Sequence, residues 1–499
     1  MPYGVRQVLE HDEVGIVAYG EKKGRSGSAA PGDTLLEVVS AIVGAGYCIG
    51  CGVCAALPGS PIQIRLDRHG QYQAMVPPHC DAGTVSVDNF VRTCPFSGVG
   101  PNEDELATEL FGTGLEWDPR IGSYRELYAG YVLEGSYRAN GSSGGFGTWI
   151  VAELFRRGEV DAVIHVRPSD RSKRGMLFEY MVSESLDDIQ LGASSRYYPI
   201  ELSEVLQIVR EREARYAIVG LPCFVKAVRR LGLLDDTIRR RITYYVGLVC
   251  GHLKSTFFAE SHGWQLGIGP DSLIGINFRK KLSRGPASQY GVEVVGYRKG
   301  KIVRITRRRQ MFLGSDWGMG FFKYNACDYC DDVVAETADV TVGDAWLPGY
   351  VNDSRGTNIV IVRDERISQL LKEALGERRI VLEPINADAV VQSQAAGLRH
   401  RKKGLAYRLY KVQSAGRWVP KKRVESDGQH LTERERLVQD LRLELAAASK
   451  DAFANAKAVG DYRRFVRCMR PLVKRYEATA FHPIRRVALR VRAMLARFA

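Results

Sequence analysis

Nowhere in the 499 residues do 18 apolar residues run together, so the sequence offers no membrane-spanning helix. The opening stretch, MPYGVRQVLEHDEVG, lacks the basic-then-apolar order of a secretory signal. From these two absences we expect a cytoplasmic chain whose thiols stay reduced. Cysteines are few, ten in all, and in that setting they read as metal or redox ligands rather than disulfides. Acidic residues are scarce in one place only. Residues 401–499 hold 25 Lys and Arg against 9 Asp and Glu, a net of +16. The first 400 residues are nearly balanced at −2, although the whole chain carries +14. A strongly basic last fifth on a neutral body reads as a separate appendage. No nucleic-acid-binding signature accompanies it, so nucleic acid is not an expected partner.

What remains is an ordinary globular composition, 45% hydrophobic and 26% charged. The length suits two or three domains. Residues 48–54 read CIGCGVC, and Cys94-Pro95 follows forty residues later. Three closely spaced thiols plus a distant one before proline is ferredoxin-type ligation of a 4Fe–4S cluster. Zinc usually takes paired C-x2-C units instead. Cys80 competes for the fourth place, and Cys94 is preferred for its proline.

Four more cysteines fall in a region of alternating strand and helix patterns. Residues 216–219 form a short apolar, β-branched run that ends in GLPC, with Cys223 last. Residues 244–249 form another, ending on Cys250. A C-x2-C unit, CDYC, supplies Cys327 and Cys330. In an open α/β sheet the carboxyl ends of neighbouring strands converge on one edge, where ligands bind. These four thiols can therefore meet at one cluster, or each can be an ordinary buried cysteine. Cys468 has no evident partner and reads as structural.

Residues 140–147 read NGSSGGFG, between a strand pattern at 127–133 and a helix pattern at 148–155. Asn140 or a serine would cap that helix. Glycines admit a flat ring or a phosphate close to the backbone, and a helix N-terminus favours an anion. The stretch is neither G-x-G-x-x-G nor a P-loop. It reads as a flexible turn or, beside iron–sulfur sites, as a flavin site, because a flavin converts single-electron into hydride chemistry.

Taken in order, these motifs resemble the family of coenzyme F420 hydrogenase/dehydrogenase beta subunits, whose relatives include 7-hydroxymethyl chlorophyll a reductase. The likeness continues through SRYYP at 195–199, NFRK at 277–280 and ETADVTVGDAW at 336–346, and covers roughly residues 45–410. It implies FAD and two 4Fe–4S clusters. One cluster falls to Cys48, Cys51, Cys54 and Cys94, the other to Cys223, Cys250, Cys327 and Cys330. Asn140, Ser142, Ser143, Gly144 and Gly145 fall on the family's flavin turn, and Ser195, Arg196 and Tyr197 on a second flavin-proximal loop. One position departs: the family's D-F-R-x-K reads N-F-R-K-K here, with Asn277 in place of the carboxylate.

The expected fold class is mixed α/β with α+β character: a ferredoxin-like iron–sulfur segment, a mixed α/β FAD-binding domain and a helical C-terminal tail. The expected boundaries are 1–44 for an N-terminal extension and 45–125 for the iron–sulfur segment. The FAD domain then takes 126–410 and the basic tail 411–499. The expected function is an electron relay between the clusters and FAD. The flavin would exchange hydride with coenzyme F420 or an organic substrate, and a carrier such as ferredoxin would be the other electron partner. One rival is an electron-transfer subunit of a larger redox complex, and the other a scaffold with structural metal sites. His252, beside Cys250, is the candidate proton donor; its other reading is a hydrogen-bonding neighbour of the cluster. Lys226 and Arg229 follow GLPC on a helix face and read as solvated, or else as anion ligands. In the tail, 437–459 is an Ala-rich helical run. The basic amphipathic pattern at 484–498 suits packing against the core or a partner, or a peripheral membrane contact.

Overall fold

The computed structural model describes residues 33–77, 85–283 and 285–481. Cys80 and the amphipathic pattern at 484–498 lie outside the described residues. At the centre is an eight-stranded mixed sheet. Its strands run in the order Ile380–Pro384, Glu126–Val132, Asn358–Val362, Val340–Asp344, Ile242–Leu248, Tyr216–Gly220, Ala162–Pro168 and Phe178–Ser183. The four from Val340–Asp344 to Ala162–Pro168 are parallel neighbours. The flanking pairs are antiparallel. This is the α/β architecture the alternating patterns imply.

Side-chain alternation along each strand divides the core in two. Val163, Ala217 and Tyr244 face a cluster with Trp149, Ile150 and Leu154 of helix Phe146–Arg156 and Leu371 of helix Glu365–Gly376. Their neighbours Ile164, Ile218 and Tyr245 face Phe224, Val225 and Val228 of helix Pro222–Gly232. The amino-terminal cysteine segment packs on this second face. There, helix Leu35–Gly44 starts at a Thr34–Glu37 capping box and buries Leu35, Val38, Val39 and Ile42. The short helix Val87–Thr93 ends at Cys94.

The tail is helical, but it is not an appendage. Helix Lys403–Ser414 runs across the expected 410/411 boundary. Helices Glu433–Ala458 and Tyr462–Ala480 contact each other along their length. They send Phe453 and Phe465 into a cluster with Phe257 and Phe322, all four at 3% exposure or less. This cluster also holds the inner face of an antiparallel three-stranded sheet, Leu273–Lys280, Gly291–Arg298 and Lys301–Arg308. Burying each phenylalanine is worth about 1.5–3 kcal/mol, which fixes the tail to the body despite its charge.

Candidate functional site

The carboxyl ends of the parallel strands converge on one edge, and the cysteines gather there. Strand Tyr216–Gly220 ends before Leu221, and Pro222 opens the next helix. Cys223 therefore sits in a first helical turn rather than on the strand, where unpaired N–H groups and the helix dipole favour a thiolate. Strand Ile242–Leu248 delivers Cys250 two residues past its end. The 3-10 turn Asn325–Tyr329 carries Cys327, and Cys330 follows it. Burial is the main force raising the Cys223 thiol above its ordinary range, followed by Cys330, Cys250 and Cys327, and then Cys51. Cys223 thus feels the three other inner thiols and, more weakly, Cys51 of the outer set.

In the outer set, Cys48, Cys51, Cys54 and Cys94 line a small void of about 20 Å³ walled by Val39, Ile42, Ile49 and Phe90. Among the described residues no three His, Cys, Asp or Glu side chains are close enough to hold a single metal ion. The thiols surround space instead of a point, which suits a multi-iron cluster better than tetrahedral zinc. Backbone N–H groups aim at the sulfurs. Gly50 and Ala74 donate to Cys48 Sγ at 3.3 and 3.4 Å, and Leu253 donates to Cys327 Sγ at 3.2 Å. Burial pushes Cys48 up to about 11 and Cys327 up to about 12. Thiols this disfavoured as free anions ionise when metal supplies the countercharge. On these grounds the outer donor set fits a 4Fe–4S cluster, and the inner four thiols offer the same donor chemistry.

One aromatic contact joins the sets. Tyr47 and Tyr329, each preceding a cysteine, meet edge-on at 4.9 Å. Burial first, then the thiols of Cys223 and Cys51, raise the Tyr180 hydroxyl, which donates to Val219 O at 3.0 Å.

Beyond Cys250 a cavity of about 500 Å³ opens along the same sheet edge, within the usual range for ligand sites. Its wall includes Ser142, Ser143 and Gly145 of the glycine turn and Ser195, Arg196 and Tyr197 of the second loop. The Ser142 hydroxyl joins the two, accepting from Ser195 N at 2.8 Å. Ser143 is tied down by donating its hydroxyl to Thr357 O at 2.7 Å. Gly145 caps helix Phe146–Arg156 at φ 97°, and no side chain caps it. The expected cap, Asn140, is exposed, bonded to Ser136, and absent from the cavity wall. Gly144 also faces away: a Cβ there would stand 2.6 Å from Gly130 O. The turn therefore presents Ser142, Ser143 and Gly145 to the cavity, while Gly144 sets its packing.

His252 lines this cavity, and its ring meets Trp317 at 4.3 Å. Its Nε2 has no hydrogen-bond partner among the described residues. Burial first, then Lys254 and Lys323, hold it well below the ordinary histidine range, so it is neutral at pH 7. Lys226 and Arg229 do not behave as expected. Lys226 is buried and pairs with Glu103 at 2.9 Å. Arg229 pairs with Asp339 at 2.6 Å and covers the Tyr245 ring. Neither is solvated, and neither lines the cavity.

Several wall residues escaped the sequence reading. Arg279 is buried, binds Asp344 through both terminal nitrogens at 2.9 and 3.1 Å, and reaches Ser142 O at 3.3 Å. Both lie within quoted motifs, which was the available signal. Lys254, Arg309, Tyr290, Trp317 and Trp346 also contribute. Asn277 is off the wall. Its amide oxygen accepts from Arg279 N and the Ser194 hydroxyl at 3.0 and 3.3 Å, the role a carboxylate would fill. Cys468 is exposed on the tail.

Residues 127–207 and 213–388 match the amino- and carboxy-terminal halves of a family described as coenzyme F420 hydrogenase/dehydrogenase, beta subunit. One subunit of the F(420)H(2) dehydrogenase of Methanosarcina mazei is 22% identical over 246 residues, 49% of this chain and 62% of the relative. The coenzyme F420-dependent sulfite reductase of Methanocaldococcus jannaschii is 22% identical over 347 residues, 65% of this chain and 45% of the relative. The chain thus spans about half to three-fifths of the length of these relatives. A chain from a structure of the F420-reducing NiFe hydrogenase complex of Methanosarcina barkeri aligns at a TM-score of 0.45. It shares 16% identity, with 60% of this chain and 96% of that one covered. No helix among the described residues is long and apolar enough to cross a membrane. Across its central region, the chain belongs to the family of coenzyme F420 hydrogenase/dehydrogenase beta subunits.

Proposed function

We propose that this chain is an iron–sulfur flavoprotein oxidoreductase that relays electrons between two 4Fe–4S clusters and FAD, with coenzyme F420 or an organic molecule exchanging hydride at the flavin. One observation carries the reading: Cys250 belongs at once to the inner cysteine set and to the wall of the large cavity. A cluster there would stand directly against a ligand in the cavity. When bound, the clusters supply single-electron steps and the flavin interconverts those with hydride transfer.

The chain's own part is placement. Cys48, Cys51, Cys54 and Cys94 would hold the outer cluster and Cys223, Cys250, Cys327 and Cys330 the inner one. Apolar walls keep water from the outer set. Ser142, Ser143 and Gly145 offer a backbone surface to FAD, with Ser195, Arg196 and Tyr197 on the adjoining loop. Trp317 and Tyr197, whose rings meet at 4.8 Å, form an aromatic wall for a flat ligand. His252, neutral at pH 7, and Lys254, which burial holds well below the ordinary lysine range, are the titratable groups on the cavity wall near Cys250 through which a proton could be relayed to an organic acceptor. The expected domains become the iron–sulfur segment 45–125 and the FAD domain 126–410, with the tail as part of the packed body.

The Methanosarcina mazei relative is named as part of a dehydrogenase, which favours a second reading. In it this chain serves a larger redox complex and takes ferredoxin or a partner subunit as electron partner. Anaerobic purification with iron and flavin quantification tests the shared core. Two clusters and one flavin mean about eight irons and about one FAD per chain. Cys51→Ser and Cys223→Ser should each remove about half the iron. Zinc without flavin overturns both readings and leaves a scaffold.

A further inference from the structure

Arg401 ends helix Ala395–Arg401, beyond the region the family models match. It is 2% exposed. One terminal nitrogen donates to Cys250 O at 2.6 Å and Asp332 O at 2.8 Å. The other donates to Gly251 O at 2.8 Å and stands 3.9 Å from Cys250 Sγ. Its Nε has no partner among the described residues. No carboxylate pairs with it among the described residues, a state it shares with buried Arg230 and Arg363, whose partners are carbonyls and the Thr341 hydroxyl, whereas Arg408 stands near Asp328 and Arg423 against Glu336. A buried guanidinium stays charged, and a buried charge without a countercharge is strongly destabilising. Carbonyl oxygens satisfy its hydrogens but not its charge. The anionic groups that can face it are the sulfurs of Cys250, Cys327 and Cys330.

We propose that Arg401 is the resident countercharge of the inner cluster: its guanidinium neutralises part of the thiolate charge and sets that cluster's reduction potential. The inference rests on the inner-cluster reading above. It assigns Arg401 a tuning role and no contact with substrate. Reduction adds negative charge to the cluster, so a fixed cation at Cys250 favours the reduced state and raises the potential. The bland alternative is that Arg401 only ties the 250–251 and 332 carbonyls together.

The test is an anaerobic redox titration of the full chain, followed by electron paramagnetic resonance, for wild type, Arg401→Lys and Arg401→Gln. Iron is quantified in each, and the outer cluster is the internal reference. At equal iron content the expected result is a lower inner midpoint in Arg401→Gln, largely restored in Arg401→Lys, with the outer midpoint unmoved. Loss of the inner iron in Arg401→Gln but not in Arg401→Lys supports the proposal equally. Equal midpoints in wild type and both variants overturn it. So does an equal fall, or an equal loss of inner iron, in both variants, because the two differ in charge. A wild-type chain with outer iron alone sinks the inner-cluster reading itself, a result visible before any variant is made.

Discussion

The hydroxyl of Ser142 accepts a hydrogen bond from the backbone N–H of Ser195 at 2.8 Å, across 53 residues of chain. The same oxygen lies 3.1 Å from the Ser194 hydroxyl. This one side chain joins the glycine turn to the second loop, and both line the cavity. Ser142→Ala should leave the Ser195 N–H unsatisfied and let the loops part. A lost bond of this kind costs about 1 kcal/mol, and stranding a buried donor costs somewhat more. We expect flavin affinity to fall about five- to tenfold with little change in iron content. Fluorescence titration of deflavinated protein with FAD measures it, and unchanged affinity would remove Ser142 from the site.

Gly144 should be less forgiving than Ser142. An added Cβ would meet Gly130 O at 2.6 Å and Asn358 N at 2.9 Å, and backbone in the middle of the sheet cannot step aside. Overpacking of this sort costs about 1–3 kcal/mol. Gly144→Ala should lower the thermal midpoint by several degrees and release flavin as well. Thermal unfolding with flavin release followed in the same sample shows whether the two events coincide. A stable, flavin-loaded variant would show that the strand pair yields there.

Strands and cysteine positions were legible because local pattern carries them. Apolar β-branched runs ending in GLPC and at Cys250 fall within two residues of the observed strands. The helix cap was not legible. Asn140 has the right chemistry, but the chain enters that helix through Gly145 at positive φ, which propensity does not announce. Lys226 and Arg229 were misread for a different reason. Their partners, Glu103 and Asp339, come from segments more than 100 residues away, and no periodicity shows that. The tail was misjudged because its charge hid Phe453, Phe465 and Met469, which sit at 0% exposure. Arg401 was invisible for the same reason, one arginine in a basic run.

The departure at Asn277 carries its own prediction. Its amide oxygen already accepts from Arg279 N and Ser194 Oγ, so Asn277→Asp preserves both bonds. The variant should keep its flavin and lose less than about 1 kcal/mol of stability. Asn277→Leu removes the acceptor and should cost about 1–3 kcal/mol by leaving the Arg279 N–H stranded. Denaturant unfolding of the two variants gives the comparison. Equal losses would show that volume, not the acceptor, matters at this position.

Acid sensitivity should centre on Glu153, at the end of the helix that follows the glycine turn. Its side chain is 2% exposed and is grasped by Arg157 at 2.8 Å, Arg156, and Arg379 at 2.5 Å. Burial alone would raise this carboxyl, but hydrogen bonds from Arg379 and Arg157 outweigh it and bring it down to about 2 from 4.5. A carboxyl depressed by folding contributes stability above its unfolded value. That contribution is lost as pH falls from about 4.5 through about 2. Glu153→Gln removes the titration and leaves three guanidinium groups without their shared partner. At pH 7 it should unfold at a temperature at least about 2 °C lower than wild type. Between pH 5 and pH 2 the gap should close, because wild type loses what the variant never had. Thermal midpoints of both proteins across that range provide the check. A gap that stays constant with pH would mean the arginines respond to the shape of the side chain and not to its charge.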